Sequence, residues 1–152
     1  MIPRFGPPPQ QGRSYRRRPG AYAVLLRDDH LLLTFQQYPE PEFQLPGGGI
    51  DAGEGALAAL HREVREETGW TIGAARRVGD YRRFCFMPDY DIFAEKRCSV
   101  WLARPVLRLG PPSECGHSAH WVPVPDAVAL LPDAGSRMLC RQALAMAGRL
   151  TP

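Results

Sequence analysis

Three glutamates near the middle of the chain have a spacing that suits metal binding. Glu63, Glu66 and Glu67 stand at positions i, i+3 and i+4, so on a helix they would share one face. Like charges at this spacing repel each other and destabilise an isolated helix. Carboxylate oxygens suit Mg²⁺ or Mn²⁺, and either cation would offset the repulsion. The pattern therefore predicts a divalent metal site, and a solvated acidic helix face is the alternative interpretation.

A glycine run, Gly47–Gly49, precedes these acids. Glycine lets the backbone come close to a phosphate or a metal ion, although a plain turn would use the same residues. The acids themselves are predicted to lie on a helix from about Gly55 to Thr68. Its apolar stripe consists of Leu57, Leu60 and Val64, and the acidic face lies about 100° round from that stripe. Gly69 is predicted to end the helix.

The surrounding elements predict an α+β fold in which helices pack on a mixed or antiparallel sheet. Ala21–Arg27 and Leu31–Gln36 form a hairpin pattern, and an extended piece, Phe43–Pro46, leads into the glycines. Further strands are predicted over Thr71–Phe86, Lys96–Leu107 and His120–Val124, with a loop over Met87–Glu95. Two C-terminal helices are predicted, one capped by Asp126 and one capped by Ser136.

The composition is that of one folded domain. The 152 residues include 44% hydrophobic and 23% charged residues, with a formal charge of +3, which permits an anionic substrate but does not argue for nucleic-acid binding. No apolar run approaches the ~20 residues that would span a bilayer, and the N-terminus lacks a signal-peptide core. The spacing of the four cysteines does not resemble a zinc site, and they are Cys85, Cys98, Cys115 and Cys140. A cytoplasmic protein with reduced thiols is predicted.

The first nineteen residues are rich in Pro, Gly, Gln and Arg. This composition predicts a flexible N-terminal segment over residues 1–19, followed by the folded domain over residues 20–150.

The stretch from Gly48 to Trp70 resembles the signature of the Nudix hydrolase family. That signature begins with glycine, five residues of any type and glutamate. Seven residues of any type follow, and then Arg-Glu, an aliphatic residue, any residue and Glu-Glu. It ends with any residue, glycine and an aliphatic residue. This chain has Gly48, Glu54, Arg62-Glu63, Val64, Glu66-Glu67, Gly69 and Trp70 at those positions. Trp70 replaces the usual aliphatic residue, for which altered packing is expected.

The resemblance implies an α/β/α sandwich with a mixed central sheet and metal-dependent cleavage of a pyrophosphate. The substrate would be a nucleoside diphosphate linked to another moiety, and Mg²⁺ would be the cofactor. The implied metal ligands are Glu63, Glu66, Glu67, the backbone carbonyl of Gly47, and Glu54. Arg62 would orient the metal carboxylates.

The residue that takes the proton from water stays open. Glu66 and Glu67 are candidates by resemblance, and a later loop offers Glu114, His117 and His120, although a surface loop is the plainer interpretation of that region.

Candidate substrate contacts are equally open. They are Gly48, Tyr38 and Phe43, and Arg27 or Arg82 as a phosphate contact.

Two functions follow from these observations. The first is a pyrophosphohydrolase that acts on a nucleoside triphosphate or an oxidised nucleotide, with a dinucleoside polyphosphate or a nucleotide sugar next. The second is a catalytically silent nucleotide-binding or regulatory module of the same fold. All motif acids are present, which favours the enzyme. The sequence leaves a homodimer open.

Overall fold

One mixed sheet with helices on both faces forms the structure, and its computed structural model describes residues 1–149. The predicted domain end at residue 150 lies outside the described residues. The strands are β1 (Arg16–Arg27), β2 (His30–Gln36), β3 (Glu42–Gln44), β4 (Gly47–Gly49), β5 (Trp70–Met87), β6 (Ile92–Arg108) and β7 (His117–Pro123). The helices are α1 (Ala56–Thr68), α2 (Val124–Leu130) and α3 (Ala134–Met146).

The strand β1 lies at the centre of the sheet. Along the main path the order is β3-β2-β1-β6-β5, while β4 pairs with β1 and β7 pairs with β2. The β1–β6 pair is parallel and the other pairs are antiparallel. The predicted hairpin is present as β1 and β2, and the α+β class with a mixed sheet is confirmed.

Alternation along β1 separates two apolar layers. Ala21, Ala23 and Leu25 pack with Leu60 and Val64 of α1 on one face. The opposite face carries Val24 and packs against α2 and α3 through a second cluster. The period of two that strands impose therefore builds the helix–sheet–helix sandwich that the resemblance implied.

The helix α1 begins one residue later than predicted and ends where predicted. Gly69 closes it with φ of 79°, a left-handed conformation that glycine adopts without strain. The predicted stripe is wrong at Leu57, whose surface is 44% exposed. The buried residues Leu60, Val64 and Thr68 are spaced by four positions. Four positions before Leu60 is Ala56, so Leu57 lies outside this buried row.

The two predicted capping residues are also wrong. Pro123 caps α2 and Asp126 lies in the first turn. Asp133 caps α3, because its Oδ1 accepts the backbone N–H of Ser136 at 2.8 Å. In residues 1–149 no helix combines the length and apolarity needed to cross a membrane.

The segment over residues 1–19, predicted from sequence as flexible, overlaps the first strand. Arg16–Pro19 already belong to β1 and pair in parallel with β6, since β6 extends beyond the predicted strand and supplies free backbone groups there. Nearer the N-terminus, the backbones of Pro3 and Phe5 hydrogen-bond Arg82, and the ring of Phe5 packs edge-on against Tyr81 at 5.9 Å. The division into a segment and a domain stays a prediction.

The aromatic residue that departs from the motif packs at the end of α1. Trp70 meets Trp121 edge-on with ring centroids 5.7 Å apart, and the guanidinium of Arg27 lies 4.6 Å from the Trp70 ring. That this packing differs from that of the usual aliphatic residue stays a prediction.

Candidate metal and active site

A cleft of about 330 Å³ opens on the α3 face of the sheet and reaches the glycine strand β4 and the acidic side of α1. Of the predicted site residues, it brings together Gly47, Gly48, Glu63, Glu67, Glu114 and His117. Residues up to 70 positions apart in the chain therefore share one wall.

The glycine strand turns its backbone groups towards α1. Hydrogen bonds from Ala23 to Pro46 and from Ile50 to Pro19 fix the ladder with β1, so the alternate residues Gly47 and Gly49 point their N–H and C=O groups away from β1. Only glycine fits at Gly47, because its φ is 148° and a Cβ would come within 2.2 Å of a backbone oxygen.

The carboxylate of Glu67 lies buried under this turn. The residue is 3% exposed, and its Oε1 accepts the backbone N–H of Gly47 at 3.3 Å. Its Oε2 lies 3.5 Å from Nδ1 of His117, which is also 2.9 Å from the hydroxyl of Thr34. Burial raises the pKa of Glu67 well above its usual value, and the Gly47 hydrogen bond opposes that rise. A charged carboxylate here needs a cation nearby.

The guanidinium of Arg62 organises the exposed side of the acidic face. Its Nη1 lies 2.9 Å from Oε1 of Glu63 and 3.3 Å from Oε2 of Glu66. Its Nη2 donates to the carbonyl of Gly49 at 3.0 Å. Helix α1 is thereby tied to the glycine strand through one side chain, and the carboxylates of Glu63 and Glu66 both lie within reach of one nitrogen.

Glu54 is engaged by the same arginine. Both of its oxygens accept hydrogen bonds from Arg62 at 2.8 Å, and these bonds lower the pKa of Glu54 to about 2. Glu54 also accepts the backbone N–H of Asp51 at 3.1 Å. It does not line the cleft, so its contacts suit a partner of Arg62 better than a metal ligand.

The loop before β7, which carries Glu114, is hydrogen-bonded to the end of α1. The backbone N–H groups of Ser113 and Glu114 donate to the carbonyl of Glu66 at 2.8 and 2.9 Å. This contact brings the Glu114 side chain to the cleft and close enough to raise the pKa of Glu63 and Glu67 by charge repulsion. His120 lies elsewhere, with its ring 5.6 Å from that of Phe43.

The aromatic residues predicted to contact substrate do not line the cleft. Tyr38 is 77% exposed outside it, and Phe43 packs against Phe35 with ring centroids 5.0 Å apart. Since side chains alternate along β3, its neighbours Glu42 and Gln44 face the cleft instead.

Sequence reasoning missed a larger part of the cleft wall. The same face of β1, β5 and β6 contributes Arg18, Gly20, Tyr22, Tyr81, Arg83, Lys96 and Cys98. The alternation of each strand carries a signal for these residues, but only the register between strands shows that they meet. Arg82, named from sequence as a phosphate contact, points to the other face, where it pairs with Glu95.

The donor set fits a hard divalent cation. Carboxylate oxygens of Glu63 and Glu67 and the outward carbonyl of Gly47 line the cleft, and Mg²⁺ prefers such ligands. Glu66 is not a lining residue, but it shares the Nη1 of Arg62 with Glu63. A Cβ at Gly48 would meet the Glu63 carboxylate at 2.6 Å, so any side chain there would displace that carboxylate. As the side chains stand, no three His, Cys, Asp or Glu groups in the described chain are arranged to hold a metal ion. Arg62 holds two of the carboxylates, so loading would require them to turn from it.

Comparison with known proteins identifies the family. Residues 16–141 match the NUDIX domain. The chain belongs to the Nudix family. Members of this family generally use divalent metal ions. The solved structure of a NUDIX hydrolase from Nitrosomonas europaea shares the fold, with a TM-score of 0.68 at 21% identity over 90% of this chain and 93% of that one.

Curated relatives of this Nudix chain carry different names. It is 34% identical over 74 residues to the "Putative 8-oxo-dGTP diphosphatase" of Bacillus subtilis (strain 168), which covers 49% of this chain and 50% of the relative. It is 38% identical over 71 residues to an RNA pyrophosphohydrolase of Halorhodospira halophila, which covers 43% and 39%. A CMP-5'-(N-acetyl-N-hydroxy-3-aminopropyl)phosphonate hydrolase of Streptomyces rubellomurinus is 27% identical over 122 residues, covering 76% and 56%. The chain spans about half the length of the curated relatives it matches.

Proposed function

We propose that this Nudix protein hydrolyses a phosphoanhydride bond in a nucleoside diphosphate linked to another moiety, with Mg²⁺ as its cofactor and Mn²⁺ as a substitute. One observation carries the proposal. Glu67 is buried at the end of a cleft, beneath a glycine turn that accepts no side chain, with Glu63 and Glu66 beside it. A buried acid in such a position is destabilising unless a cation offsets its charge.

The proposed metal ligands are Glu63, Glu66, Glu67 and the carbonyl of Gly47. When bound, the divalent ion neutralises phosphate oxygens and lowers the pKa of a bound water. The chain itself supplies position. Catalysis of phosphoryl transfer depends mainly on holding the reacting groups in line and stabilising their charge.

Arg62 and Glu54 serve as positioning residues in this proposal. Arg62 contacts both Glu63 and Glu66 while Glu54 holds it from the other side with two hydrogen bonds. The carboxylates are thereby kept on the side of α1 that faces the glycine strand, and such outer contacts typically change activity by about 10- to 100-fold.

Three acids are candidates for the group that accepts the proton from water. Glu66 is partly exposed and Glu67 is buried. Glu114 lies on the loop that is hydrogen-bonded to the end of α1. The corresponding glutamine variants separate them. If Glu114 accepts the proton, its loss should lower kcat and leave the Mg²⁺ concentration for half-maximal rate unchanged, whereas loss of Glu66 or Glu67 would change both, because they are proposed metal ligands. A normal kcat for the Glu114 variant would leave the proton transfer to Glu66 or Glu67.

A nucleoside triphosphate or an oxidised nucleotide is the first proposed substrate class, and a dinucleoside polyphosphate or a nucleotide sugar is the next. The name of the Bacillus subtilis relative supports this order. Polar side chains for reading a base lie on the cleft rim, where Nε2 of Gln44 donates to Oε1 of Glu42 at 2.6 Å and Gln36 lies beside them.

A phosphate-release screen with Mg²⁺ tests the function. It should cover nucleoside triphosphates, oxidised nucleotides, dinucleoside polyphosphates and nucleotide sugars, with Glu67→Gln as the matched inactive control. Turnover that requires the metal and is lost in the variant supports the proposal. If the purified wild-type protein binds nucleotides but hydrolyses none of them, the chain is a binding module instead.

A further inference from the structure

Three cationic side chains lie in register across the cleft wall. Arg18 of β1 pairs with Lys96 of β6, and Lys96 pairs with Arg83 of β5. Residues paired in this way point to the same face of a sheet, and all three line the cleft. We call Arg18, Lys96 and Arg83 the basic row.

The basic row lies next to the hydrophobic core on the same face of the sheet. Its neighbours in the next row are Gly20, Cys98 and Tyr81, and Tyr22 and Val100 follow in the row after that. Cys98, Tyr81 and Val100 are buried. The three cations therefore lie at the edge of the hydrophobic core and not on an open surface. Because the core has a lower dielectric constant than water, they repel each other more strongly than they would in water.

In the described part of the chain, no carboxylate forms an ion pair with the basic row. Within residues 1–149, none of its members has a carboxylate oxygen within the 4.0 Å of an ion pair, whereas Arg82 and Arg97, on the opposite face of the same strands, share Glu95 at 3.6 and 3.2 Å. Arg83 also keeps a buried Nε without a hydrogen-bond partner in the described chain, as do the Nε of Arg82 and the Nε1 of Trp101 outside the row. Buried polar groups in this condition usually have a ligand or water as their missing partner.

Asp133 is the carboxylate whose charge acts most on Arg83, and it also accepts hydrogen bonds from two other groups. Its charge contributes to the raised pKa of Arg83. However, its Oδ1 caps α3 through Ser136, and its Oδ2 lies 3.4 Å from the hydroxyl of Tyr81. One carboxylate against three cations leaves the basic row with a net positive charge to be balanced from outside.

Lys96 stands out from the other basic residues of the chain. It is the single lysine among 19 Lys and Arg residues. Its partly buried position in the cleft contrasts with the exposed arginines Arg104 and Arg108 of the same strand. A lysine ammonium is a compact charge with three donors that binds phosphate oxygens. Its ammonium lies 6.0 Å from the ring of Tyr22, which separates it from the glycine turn.

We propose that the basic row binds a phosphate of the substrate that lies beyond the scissile phosphoanhydride. This inference rests on the proposed function, because the scissile phosphates would lie at the opposite, acidic end of the cleft beside Glu63 and Glu67. The two ends carry opposite charges, so a substrate that spans them needs an extra anionic group. Nucleoside triphosphates and dinucleoside polyphosphates are therefore the preferred class, ahead of nucleoside diphosphates linked to a neutral sugar.

Binding without chemistry provides the first test. Inorganic tripolyphosphate is titrated calorimetrically into the full chain in EDTA, which removes divalent ions and leaves the acidic end repulsive. Lys96→Gln should weaken binding about tenfold, the change expected for losing one charge-assisted contact. Lys96→Arg should restore most of the affinity. Arg104→Gln, which removes one charge from an exposed site on the same strand, should bind like wild type. Equal affinities for wild type and Lys96→Gln would overturn the basic row as a phosphate site.

The single lysine allows a direct chemical check. An amine-acetylating reagent can modify one side-chain amine in this chain, and mass spectrometry reads its extent. Tripolyphosphate should slow acetylation of Lys96 several-fold, while uncharged adenosine should not. Protection by adenosine alone would show that the row contacts a base and would contradict the proposal.

Turnover provides the last test, with a readout that a structural role would not move. Lys96→Gln should lower kcat/KM for a nucleoside triphosphate about 10- to 100-fold, mainly through KM, and change it less than about threefold for a nucleoside diphosphate sugar. An equal loss on both substrates overturns the selective role. If wild type hydrolyses neither class, the proposed function fails, while the tripolyphosphate titration still decides whether the basic row binds phosphate.

Discussion

Arg62 and Glu54 form a two-point contact across eight residues of sequence, with Nε and Nη2 of the arginine each 2.8 Å from a carboxylate oxygen. The same guanidinium contacts Glu63 and Glu66 through its remaining nitrogen. One side chain therefore links the loop before α1 to the two acids that we propose as metal ligands.

Arg62→Gln should reduce activity about 10- to 100-fold, because Glu63 and Glu66 would repel each other without an intervening cation. The Mg²⁺ concentration for half-maximal rate should change as well, and steady-state kinetics across a metal titration measures both. Arg65→Gln is the matched control, since Arg65 lies on the exposed side of the same helix. An Arg62 variant that behaves like the Arg65 variant would disprove the positioning role.

Glu67→Gln should separate stability from activity. The amide keeps the shape of the buried side chain and removes its charge, so the metal-free variant should melt at or above the wild-type temperature. Activity should fall by at least about a hundredfold. Mg²⁺ or Mn²⁺ should raise the melting temperature of wild type and change that of the variant much less. Thermal unfolding with and without the metal measures these shifts, and equal metal stabilisation of both proteins would remove Glu67 from the ligand set.

Two adjacent glycines offer a matched pair. A Cβ at Gly48 would lie 2.6 Å from the Glu63 carboxylate, whereas a Cβ at Gly49 would meet nothing within 4 Å. Gly48→Ala should therefore displace the Glu63 side chain and lower activity about tenfold or more, while Gly49→Ala stays near wild type. Because the end of a flexible side chain gives way, both variants should fold, which circular dichroism checks. Equal activities would mean that Glu63 is not needed where the structure holds it.

Gly69 and Gly53 separate backbone strain from steric clash. Both have φ of 79°, but a Cβ at Gly69 would come 1.9 Å from the carbonyl of Gly110, and a Cβ at Gly53 has open space. Gly53→Ala should cost about 1 kcal/mol, the strain of a left-handed residue. Gly69→Ala should cost at least about 2 kcal/mol more. Denaturant unfolding measures the two free energies, and similar values would show that the Gly110 loop relaxes freely.

Thiol reactivity should follow burial. Burial raises the pKa of Cys140 to about 12, whereas Cys115 is exposed. Alkylation requires the thiolate, so iodoacetamide at pH 8 should modify Cys115 quickly in the folded protein and Cys140 only after unfolding. Peptide mass mapping over time measures the modification, and rapid labelling of Cys140 would contradict its burial.

The raised pKa of Cys140 also makes the stability of the fold depend on pH. Its contribution is fully present below about pH 9. It is progressively lost as the pH rises towards 12, because the unfolded chain releases that proton first.

The metal-site acids could be found from sequence because their spacing is local. Glu63, Glu66 and Glu67 lie on two turns of one helix, and helical geometry alone puts them on neighbouring positions. Glu67 nevertheless differs from the other two, since it lies under the glycine turn and is 3% exposed. Helical periodicity could not distinguish them, because that burial comes from β4, which is not part of the helix.

The rest of the cleft depends on pairings between distant parts of the chain. The aromatic character of Phe43 favours a substrate contact, but strand alternation turns Glu42 and Gln44 to the cleft instead. The same alternation selects Arg83 and excludes Arg82, and nothing in the local sequence separates these two arginines.

The sequence by itself determined the family, the acidic helix and the glycine turn before it, because each depends on residue types at fixed short spacings. Only the tertiary structure decided which charges meet. The parallel register of β1 and β6 aligns Arg18 with Lys96, and the antiparallel register of β5 adds Arg83. Register is a property of paired strands and not of either strand alone, so the basic end of the cleft becomes visible only after the sheet has formed.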